Sequence, residues 1–272
     1  MNASNTERGC LRGTDLLLAS WNVNSVRARA ERVQGWLAAR KPDVACLQEL
    51  KVEDALFPHA LFAELGYQAI CHGQKTYNGV AIVVRKELEV HDVLRGLAGT
   101  EEEAGRRVIA ATVGGLRIVN VYVVNGQAVG SDKYAMKLRW LAALQSFLAE
   151  ELARHPALVV LGDFNIAPAD LDVHDPAAWA GSVLCSVEER AALRGMEALG
   201  LTDVFRAQHP EAREFSWWDY RMLGFPKNHG LRIDLMLASA AALVRCQSSS
   251  IDRDERKGKN ASDHAPVLAE FT

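Results

Sequence analysis

Residues 108–124, VIAATVGGLRIVNVYVV, contain two short runs of branched and apolar residues with no helical segment between them. Runs of this length and composition are typical of β-strands. A third such run, GVAIVVR at 79–85, precedes them along the chain. Consecutive strands argue against a purely parallel doubly wound sheet, in which a helix follows each strand. Further strands are predicted at 15–21, 43–47, 158–161, 232–238 and 265–271.

Three longer segments have the apolar spacing of amphipathic helices. They cover residues 28–40, 133–154 and 187–199, and they end before Pro42, before Pro156 and at Gly200. Strands broken by occasional long helices predict an α/β fold, with two mixed sheets packed together and helices outside.

The composition is that of an ordinary globular protein, with 49% hydrophobic and 24% charged residues in a chain of 272. Residues 1–14 are small and polar and predict a flexible tail. No linker interrupts residues 15–272, which we expect to form a single domain. The net charge of −3 means that any contact with nucleic acid must use local basic groups.

The five cysteines contain no C-x-x-C spacing, which argues against a disulfide framework or a zinc site and predicts reduced thiols. The N-terminus shows no secretion signal. The most apolar runs, 16–19 and 235–244, are shorter than the ~20 residues that a membrane span needs. We therefore expect a soluble cytoplasmic protein with no membrane partner.

Polar side chains cluster where the predicted strands end. Each position alone has a structural explanation, since a D-x-N segment after a strand is a common turn. Together, carboxylate and amide oxygens at several strand ends predict a site suited to Mg²⁺ or Mn²⁺ rather than zinc. The residues are Asn22, Asn24, Glu49, Asn125, Asp163, Asn165, Asp263 and His264.

Asp234 lies inside RIDLML, which otherwise has the pattern of a buried strand. A buried carboxylate costs several kcal/mol unless it is paired, and a histidine is the expected partner. The sequence contains no P-loop, H-E-x-x-H, G-x-S-x-G or G-x-G-x-x-G element, which disfavours the corresponding enzyme classes. An acidic metal site with a His–Asp pair suits phosphoester cleavage.

Ten segments in matching order and spacing carry a family resemblance: SWNVNSVRAR (20–29), LQELK (47–51), NGVAIVVRK (78–86), GRRVIAA (105–111), NVYVVNGQ (120–127), KLRWL (137–141), LGDFNIAP (161–168), FSWWDYR (215–221), GLRIDLMLAS (230–239) and ASDHAPV (261–267). With these segments, residues 15–272 resemble the exonuclease III family of DNA-repair nucleases, in the endonuclease/exonuclease/phosphatase superfamily. The resemblance implies a four-layer αββα sandwich, with two packed mixed β-sheets flanked by helices.

The resemblance also implies the metal-binding residues. Glu49 would be the main ligand of Mg²⁺, for which Mn²⁺ would substitute, and Asn22, Asn24 and Asp263 would lie close by. Some relatives have Asp where Asn24 stands, so this chain carries one negative charge fewer at that position.

Five further residues would carry the chemistry. The resemblance implies that Asp163 positions and deprotonates the attacking water, while His264, oriented by Asp234, neutralises the scissile phosphate. Asn165 and Tyr122 would hydrogen-bond the phosphate. The activity implied is incision 5′ to abasic sites, removal of 3′ nucleotides, 3′-phosphates and blocked 3′ ends, or both.

Double-stranded DNA with abasic sites, nicks or 3′ ends is the partner implied, bound by a monomer. Local basic residues would supply phosphate contacts, and Trp217 with Leu231 and Ile233 would wall a pocket for a base-less sugar. The expected DNA-binding residues are Arg106, Arg107, Asn125, Lys133, Trp217, Arg221, Met222 and Leu231, and Lys137, Arg139, Lys227 and Arg232 add local positive charge.

Substrate choice is expected to depend on the loop at 170–179, DLDVHDPAAW, which follows the D-x-N segment. A bulky His174 or Trp179 there would crowd an extruded abasic sugar and favour the trimming of 3′ ends. Two alternatives remain open at this point. One is a same-fold phosphatase acting on an inositol-phosphate or sphingomyelin-type phosphoester, and the other is an inactive DNA-binding scaffold.

Overall fold

The computed structural model describes residues 15–272, so the tail predicted at 1–14 lies outside the described residues. The strands in chain order are β1 (Leu16–Asn22), β2 (Val44–Gln48), β3 (Tyr67–His72), β4 (Val80–Arg85), β5 (Val90–Arg95), β6 (Val108–Val113), β7 (Leu116–Tyr122), β8 (Leu158–Asp163), β9 (Leu201–Asp203), β10 (Trp217–Trp218), β11 (Gly230–Leu231), β12 (Asp234–Ser239), β13 (Cys246–Ile251) and β14 (Val267–Phe271). The α-helices are α1 (Ala30–Arg40), α2 (His59–Glu64), α3 (Glu101–Ala104), α4 (Asp132–Arg154), α5 (Pro176–Trp179), α6 (Val187–Glu197), α7 (Val204–Gln208) and α8 (Ala240–Leu243).

Two six-stranded sheets form the centre of the fold. Their strand orders are β13-β14-β1-β2-β4-β3 and β5-β6-β7-β8-β12-β9, and β10 and β11 form a separate two-stranded ribbon. The pairs β1–β2 and β7–β8 are parallel, while the other neighbouring pairs in both sheets are antiparallel. The prediction of two mixed sheets is therefore confirmed.

The layers follow from three buried apolar clusters. Residues such as Ile82 and Ile118 pack the two sheets face to face. Trp36 of α1 joins the cluster on the outer face of the first sheet, and Trp140 of α4 and Leu193 of α6 join the cluster on the outer face of the second. Helices thus cover both outer faces, which gives the four-layer αββα sandwich. None of the helices within residues 15–272 is long and apolar enough to cross a bilayer.

Helices α1, α4 and α6 match the three predicted helices to within about two residues at each end. In the two six-stranded sheets, four strands were not predicted: β3, β5, β9 and β13. Each lies at the edge of a sheet, and strands β5 and β13 expose many of their side chains, so the apolar run that identifies a strand is absent.

The strand directions bring polar strand ends from both sheets to the same side of the sandwich. Parallel neighbours end together, so Asn22 pairs with Gln48, and Tyr122 pairs with Asp163. Strand β12 runs antiparallel to β8, and its first residue, Asp234, pairs with Asp163. The candidate active site lies at these strand ends.

Candidate active site

The centre of the site is a buried histidine between two carboxylates. His264 Nδ1 lies 2.8 Å from Asp234 Oδ2, and its Nε2 lies 3.7 Å from Asp163 Oδ2. Burial by itself lowers the pKa of His264, but Asp234 and Asp163 outweigh it and raise the pKa to about 10. The imidazole is therefore a cation at neutral pH, and the partner predicted for Asp234 is present.

Asp163 has the environment of a general base that works near neutrality. Burial raises the pKa of Asp163 to about 7; His264 opposes this effect, and the negative charge of Asp234 adds to it. Two asparagines hold its Oδ2: Asn22 Nδ2 donates to it at 2.9 Å and Asn165 Nδ2 at 3.2 Å. The backbone N–H of Asn165 donates to Oδ1 at 2.9 Å.

Asn22 connects the two sheets at this edge. Its Nδ2 also donates to Glu49 Oε1 at 2.9 Å, so one amide bridges a carboxylate from each half of the sandwich. Oxygen or nitrogen atoms of Glu49, Asp163 and His264 lie within 4.8 Å of one another. The polar strand ends predicted to converge do so.

Several residues around this centre have left-handed backbone conformations. Asn24, Glu49, Lys51 and Asn165 have φ of 45°, 52°, 54° and 50°. For non-glycine residues this geometry costs of order 1–3 kcal/mol, and it persists only where the surrounding structure enforces it. Here it turns side chains at the strand ends into the shared cleft.

The ammonium group of Lys51 occupies the corner of the site that Glu49, Asn24 and Asp263 form. Lys51 Nζ lies 3.0 Å from Glu49 Oε2 and 2.6 Å from Asn24 Oδ1. Asn24 Nδ2 in turn donates to Asp263 Oδ1 at 2.9 Å. Carboxylate and amide oxygens that attract an ammonium group here are also the donor set that Mg²⁺ prefers.

Asp263 connects Asn24 to Trp217, because its two carboxylate oxygens accept hydrogen bonds from both side chains. Trp217 Nε1 donates to Asp263 Oδ2 at 3.1 Å, and Trp217 is half-buried. Burial raises the pKa of Asp263, but His264, Trp217 and Asn24 outweigh this and hold the pKa below its usual value. Asp263 therefore remains an anion beside the cleft.

Tyr122 lies under Arg107, whose guanidinium stands 4.5 Å from the ring centroid. Arg107 also donates to the backbone carbonyls of Ala104 at 2.6 Å and Tyr122 at 3.2 Å. Burial and the nearby Glu49 raise the pKa of Tyr122 well above its usual value, so its hydroxyl remains a proton donor. The Arg107 guanidinium is thus held against Tyr122 and backbone carbonyls, and it is not a free cation available to a ligand.

The other expected DNA-binding residues differ in how exposed they are and in what they contact. Asn125, Arg106 and Lys133 are exposed, and Asn125 Nδ2 donates to Asn165 Oδ1 at 3.0 Å. Arg221 is exposed and paired with Asp219 at 2.7 Å. Met222, at 83% exposure, is among the most exposed large apolar residues of the described chain.

Three residues expected at the DNA surface are buried instead. Lys137 forms an ion pair with Glu189 in which neither side chain is exposed, and Arg232 lies 2.7 Å from both Asp172 and Asp203. The positive charges of Lys137 and Arg232 are neutralised by carboxylates inside the protein. The expectation that these two residues add to the basic surface is therefore wrong. Leu231 is fully buried in the cluster against which Trp217 packs, so it lies behind the surface.

His174 lies at the edge of that same cluster. Its ring stacks on His229 with centroids 4.6 Å apart, and Nδ1 lies 3.3 Å from the carbonyl oxygen of Gly230. The neighbouring Val173 pairs with Leu231 across a short antiparallel bridge. The loop is thus fixed beside the residues expected to wall a sugar pocket.

Lys51 was not predicted as a site residue, although it lies in the LQELK segment, two residues after Glu49. Its position two residues beyond a carboxylate at a strand end is a signal that sequence reasoning could have used. The burial of Lys137 had no such signal, because its partner Glu189 is 52 residues away.

Comparisons with known proteins show what the chain as a whole is similar to. A family model described as the endonuclease/exonuclease/phosphatase family matches residues 19–264. Exodeoxyribonuclease III of Haemophilus influenzae is 38% identical over 264 residues, covering 93% of this chain and 98% of the other. A 3′ phosphatase from Neisseria, solved with a product DNA hairpin, is 46% identical with a TM-score of 0.91 and covers 94% and 99% of the two chains. An AP endonuclease from Archaeoglobus fulgidus is 37% identical with a TM-score of 0.88, at the same coverage.

Proposed function

The chain belongs to the endonuclease/exonuclease/phosphatase family, and from this premise we propose that it is a metal-dependent phosphodiesterase of DNA repair. The substrate is duplex DNA with a 3′ end, a nick or an abasic site. The observation that carries the proposal is the buried His264 between Asp234 and Asp163, with Glu49 joined to Asp163 through one asparagine.

The reaction proposed is attack of water on a phosphodiester or phosphomonoester. Asp163, with a pKa near neutrality, takes the proton from the attacking water. The His264 imidazolium donates a hydrogen bond from Nε2 to a phosphate oxygen and stabilises the charge that builds up there. The Tyr122 hydroxyl donates to the same phosphate group, and Asn165, whose Nδ2 donates to Asp163 and to the carbonyl of Val123, holds Asp163 beside it.

The donor set fits a hard divalent cation. Glu49 would be its principal ligand, with Asn22, Asn24 and Asp263 nearby, and Lys51 would give up part of its contact with Glu49. When bound, Mg²⁺, or Mn²⁺ in its place, supplies charge neutralisation at the phosphate and the leaving 3′-oxygen.

The rim of the cleft supports DNA as the substrate. Arg106 and Lys133 provide exposed cations, and Arg221 and Met222 project from the loop that follows the Trp217 ribbon. Phosphate contacts by such residues make binding salt-dependent. We propose that the protein binds as a monomer and acts in the cytoplasm, where chromosomal DNA is available.

His174 would set the balance between incision at abasic sites and processing of 3′ ends. Its ring and that of His229 stand beside the cluster formed by Leu231, Ile233 and Val173. A flipped abasic sugar has to enter next to these residues, whereas a frayed 3′ end needs less room. We therefore propose that 3′-end processing exceeds internal incision.

A phosphatase acting on small phosphoesters would use the same central residues. The curated and solved relatives described above are nucleases or DNA-end phosphatases. Nothing in the described cleft favours an inositol or lipid headgroup over DNA, and the complete set of polar residues around His264 argues against an inactive scaffold.

The experiment that tests the function compares three labelled duplexes with Mg²⁺: an internal abasic-site analogue, a nick with a 3′-phosphate, and a recessed 3′ end. We expect processing of at least the two 3′-end substrates by the wild type. Hydrolysis of none of the three, together with hydrolysis of a small phosphoester, would refute the DNA assignment.

The role of His174 is tested on the same substrates with His174→Gly, and His91→Gly, at an exposed position on β5, serves as a surface control. We expect the ratio of abasic incision to 3′-phosphate removal to rise at least tenfold in His174→Gly alone. An unchanged ratio would remove His174 from substrate choice.

A further inference from the structure

Lys137 is a fully buried lysine on α4 with every donor in use. Lysine is almost never fully buried unless it is paired. Its ammonium contacts the carboxylate of Glu189 on α6, which is also fully buried. It also donates to the backbone carbonyls of Asn165 at 2.7 Å and Asn125 at 3.1 Å. An ammonium has three N–H donors, and here they meet three acceptors.

Besides the Lys137 ammonium, the Glu189 carboxylate has three further hydrogen-bond donors. It accepts from the backbone N–H of Leu184 at 3.0 Å and of Ser186 at 3.0 Å, and from the Ser186 hydroxyl at 2.6 Å. Ser186 and Glu189 together cap the first turn of α6. The ion pair is therefore fixed to two helices and has no freedom to shift.

The two carbonyls that Lys137 holds belong to the loops that follow β7 and β8. The side chains on those loops contact each other, since Asn125 Nδ2 donates to Asn165 Oδ1 at 3.0 Å. Asn165 Nδ2 then contacts Asp163 Oδ2 at 3.2 Å. Asn165 has a φ of 50°, so its carbonyl and its amide are both held in a conformation that the chain would not adopt freely.

We propose that Lys137 is a positioning residue: its buried ammonium fixes the backbone of Asn125 and Asn165, and so keeps the Asn165 amide aimed at Asp163. The inference rests on the proposed function, because it concerns the residues that would hold the phosphate and the attacking water. Lys137 itself lies behind the cleft and touches neither.

The rival explanation is that the ion pair only stabilises the fold. The chain contains a matched pair for comparison, Arg117 with Glu151, whose side chains are 3% and 0% exposed and lie 2.5 Å apart. Arg117 lies near the start of β7, whereas Tyr122 at the site ends the same strand. At about 3.3 Å per residue, five residues separate them by roughly 16 Å along the strand.

The test compares Lys137→Met with Arg117→Met in the full chain, at a temperature where urea titration shows both to be folded. We expect kcat on the nicked 3′-phosphate duplex to fall 10- to 100-fold in Lys137→Met, with KM within threefold of wild type. Arg117→Met keeps the wild-type kcat despite a similar loss of stability. Where Lys137→Met does not fold, Lys137→Met with Glu189→Gln removes both charges, and Arg117→Met with Glu151→Gln is its control.

A second readout does not depend on activity. In protein labelled with ¹⁵N-asparagine, the side-chain amide signals of Asn165, assigned by their absence in Asn165→Ala, shift or broaden in Lys137→Met and not in Arg117→Met. Equal loss of kcat in both variants, a kcat within threefold of wild type in Lys137→Met, or unmoved Asn165 signals would each overturn the inference. Inactivity of the wild type on DNA would count against the proposed function only, since the amide signals still test the positioning.

Discussion

Replacing Asp234 with asparagine should move the pH profile of the enzyme rather than only lower its rate. Asp234 lies 2.8 Å from His264 Nδ1 and pairs with Asp163 across the sheet, so its charge acts on both groups. It raises the pKa of His264 and adds to the raised pKa of Asp163. In Asp234→Asn both groups therefore titrate at lower pH, and we expect the active pH range to shift in the acidic direction.

The size of the shift follows from the distances. A pKa raised from 6.5 to about 10 corresponds to about 5 kcal/mol in favour of the His264 imidazolium. Because burial opposes the cation, the two carboxylates together supply more than this net value. Asp163 lies 3.7 Å from Nε2, and the nearer Asp234 supplies at least about 3 kcal/mol. Removing Asp234 therefore lowers the pKa of His264 by about two or more.

The same charge also affects stability. Because the pKa of His264 is higher in the folded state than in the unfolded state, the pair stabilises the fold fully below the unfolded value. This stabilisation is lost as pH rises through about 10 in the wild type. In Asp234→Asn the stabilisation should be smaller, and its loss should be complete about two pH units earlier.

The assay is kcat/KM on the nicked 3′-phosphate duplex between pH 6 and 10. Wild type should gain activity as Asp163 ionises near pH 7 and keep it past pH 9, whereas Asp234→Asn should lose activity above about pH 8. Asp252→Asn is the control, because Asp252 is a buried carboxylate that bonds Trp36 and Arg40 on α1. A profile for Asp234→Asn that is lower than wild type but parallel to it would refute the electrostatic reasoning.

Three further predictions concern the metal, the core and the DNA surface. Glu49→Gln should weaken Mn²⁺ binding at least tenfold in calorimetric titration without unfolding the protein, and an unchanged affinity would exclude Glu49 as the main ligand. Arg232→Met leaves the buried Asp203 without its ion-pair partner and Asp172 with Arg206 alone, and should lower the free energy of unfolding by about 3–5 kcal/mol in urea; a loss below about 1 kcal/mol would contradict this. Arg106→Ala should weaken duplex binding and reduce its logarithmic salt slope by about one, with no change in slope arguing against a phosphate contact.

The central residues of the site were predictable because strand direction controls where strand ends meet. Asn22, Glu49 and Asp163 each end or follow a strand, and the parallel pairs bring those ends together. Asp234 was predicted to need a histidine because a carboxylate inside an apolar strand cannot remain unpaired. Its pairing with His264 at 2.8 Å confirms that argument.

The limits of prediction were long-range pairings and exposed edges. Lys137 and Arg232 have the sequence signature of surface cations, and only the packing of remote elements reveals the carboxylates that bury them. The edge strands β5 and β13 lack the apolar run that identifies a strand, since most of their side chains are not buried. The stacking of His174 on His229 depends likewise on two loops that are distant in sequence.

The most direct test of the account is to measure binding and cleavage separately for Asp163→Asn on the nicked 3′-phosphate duplex with Mg²⁺. Fluorescence anisotropy gives the affinity, and single-turnover kinetics give the rate of phosphate release. We predict that Asp163→Asn binds the duplex within about threefold of wild type and releases phosphate at least 1,000-fold more slowly, an effect of about 4 kcal/mol on the barrier. Phosphate release at a rate near that of the wild type, or no release by the wild type itself, would contradict the assignment of this cleft as a DNA phosphoesterase site.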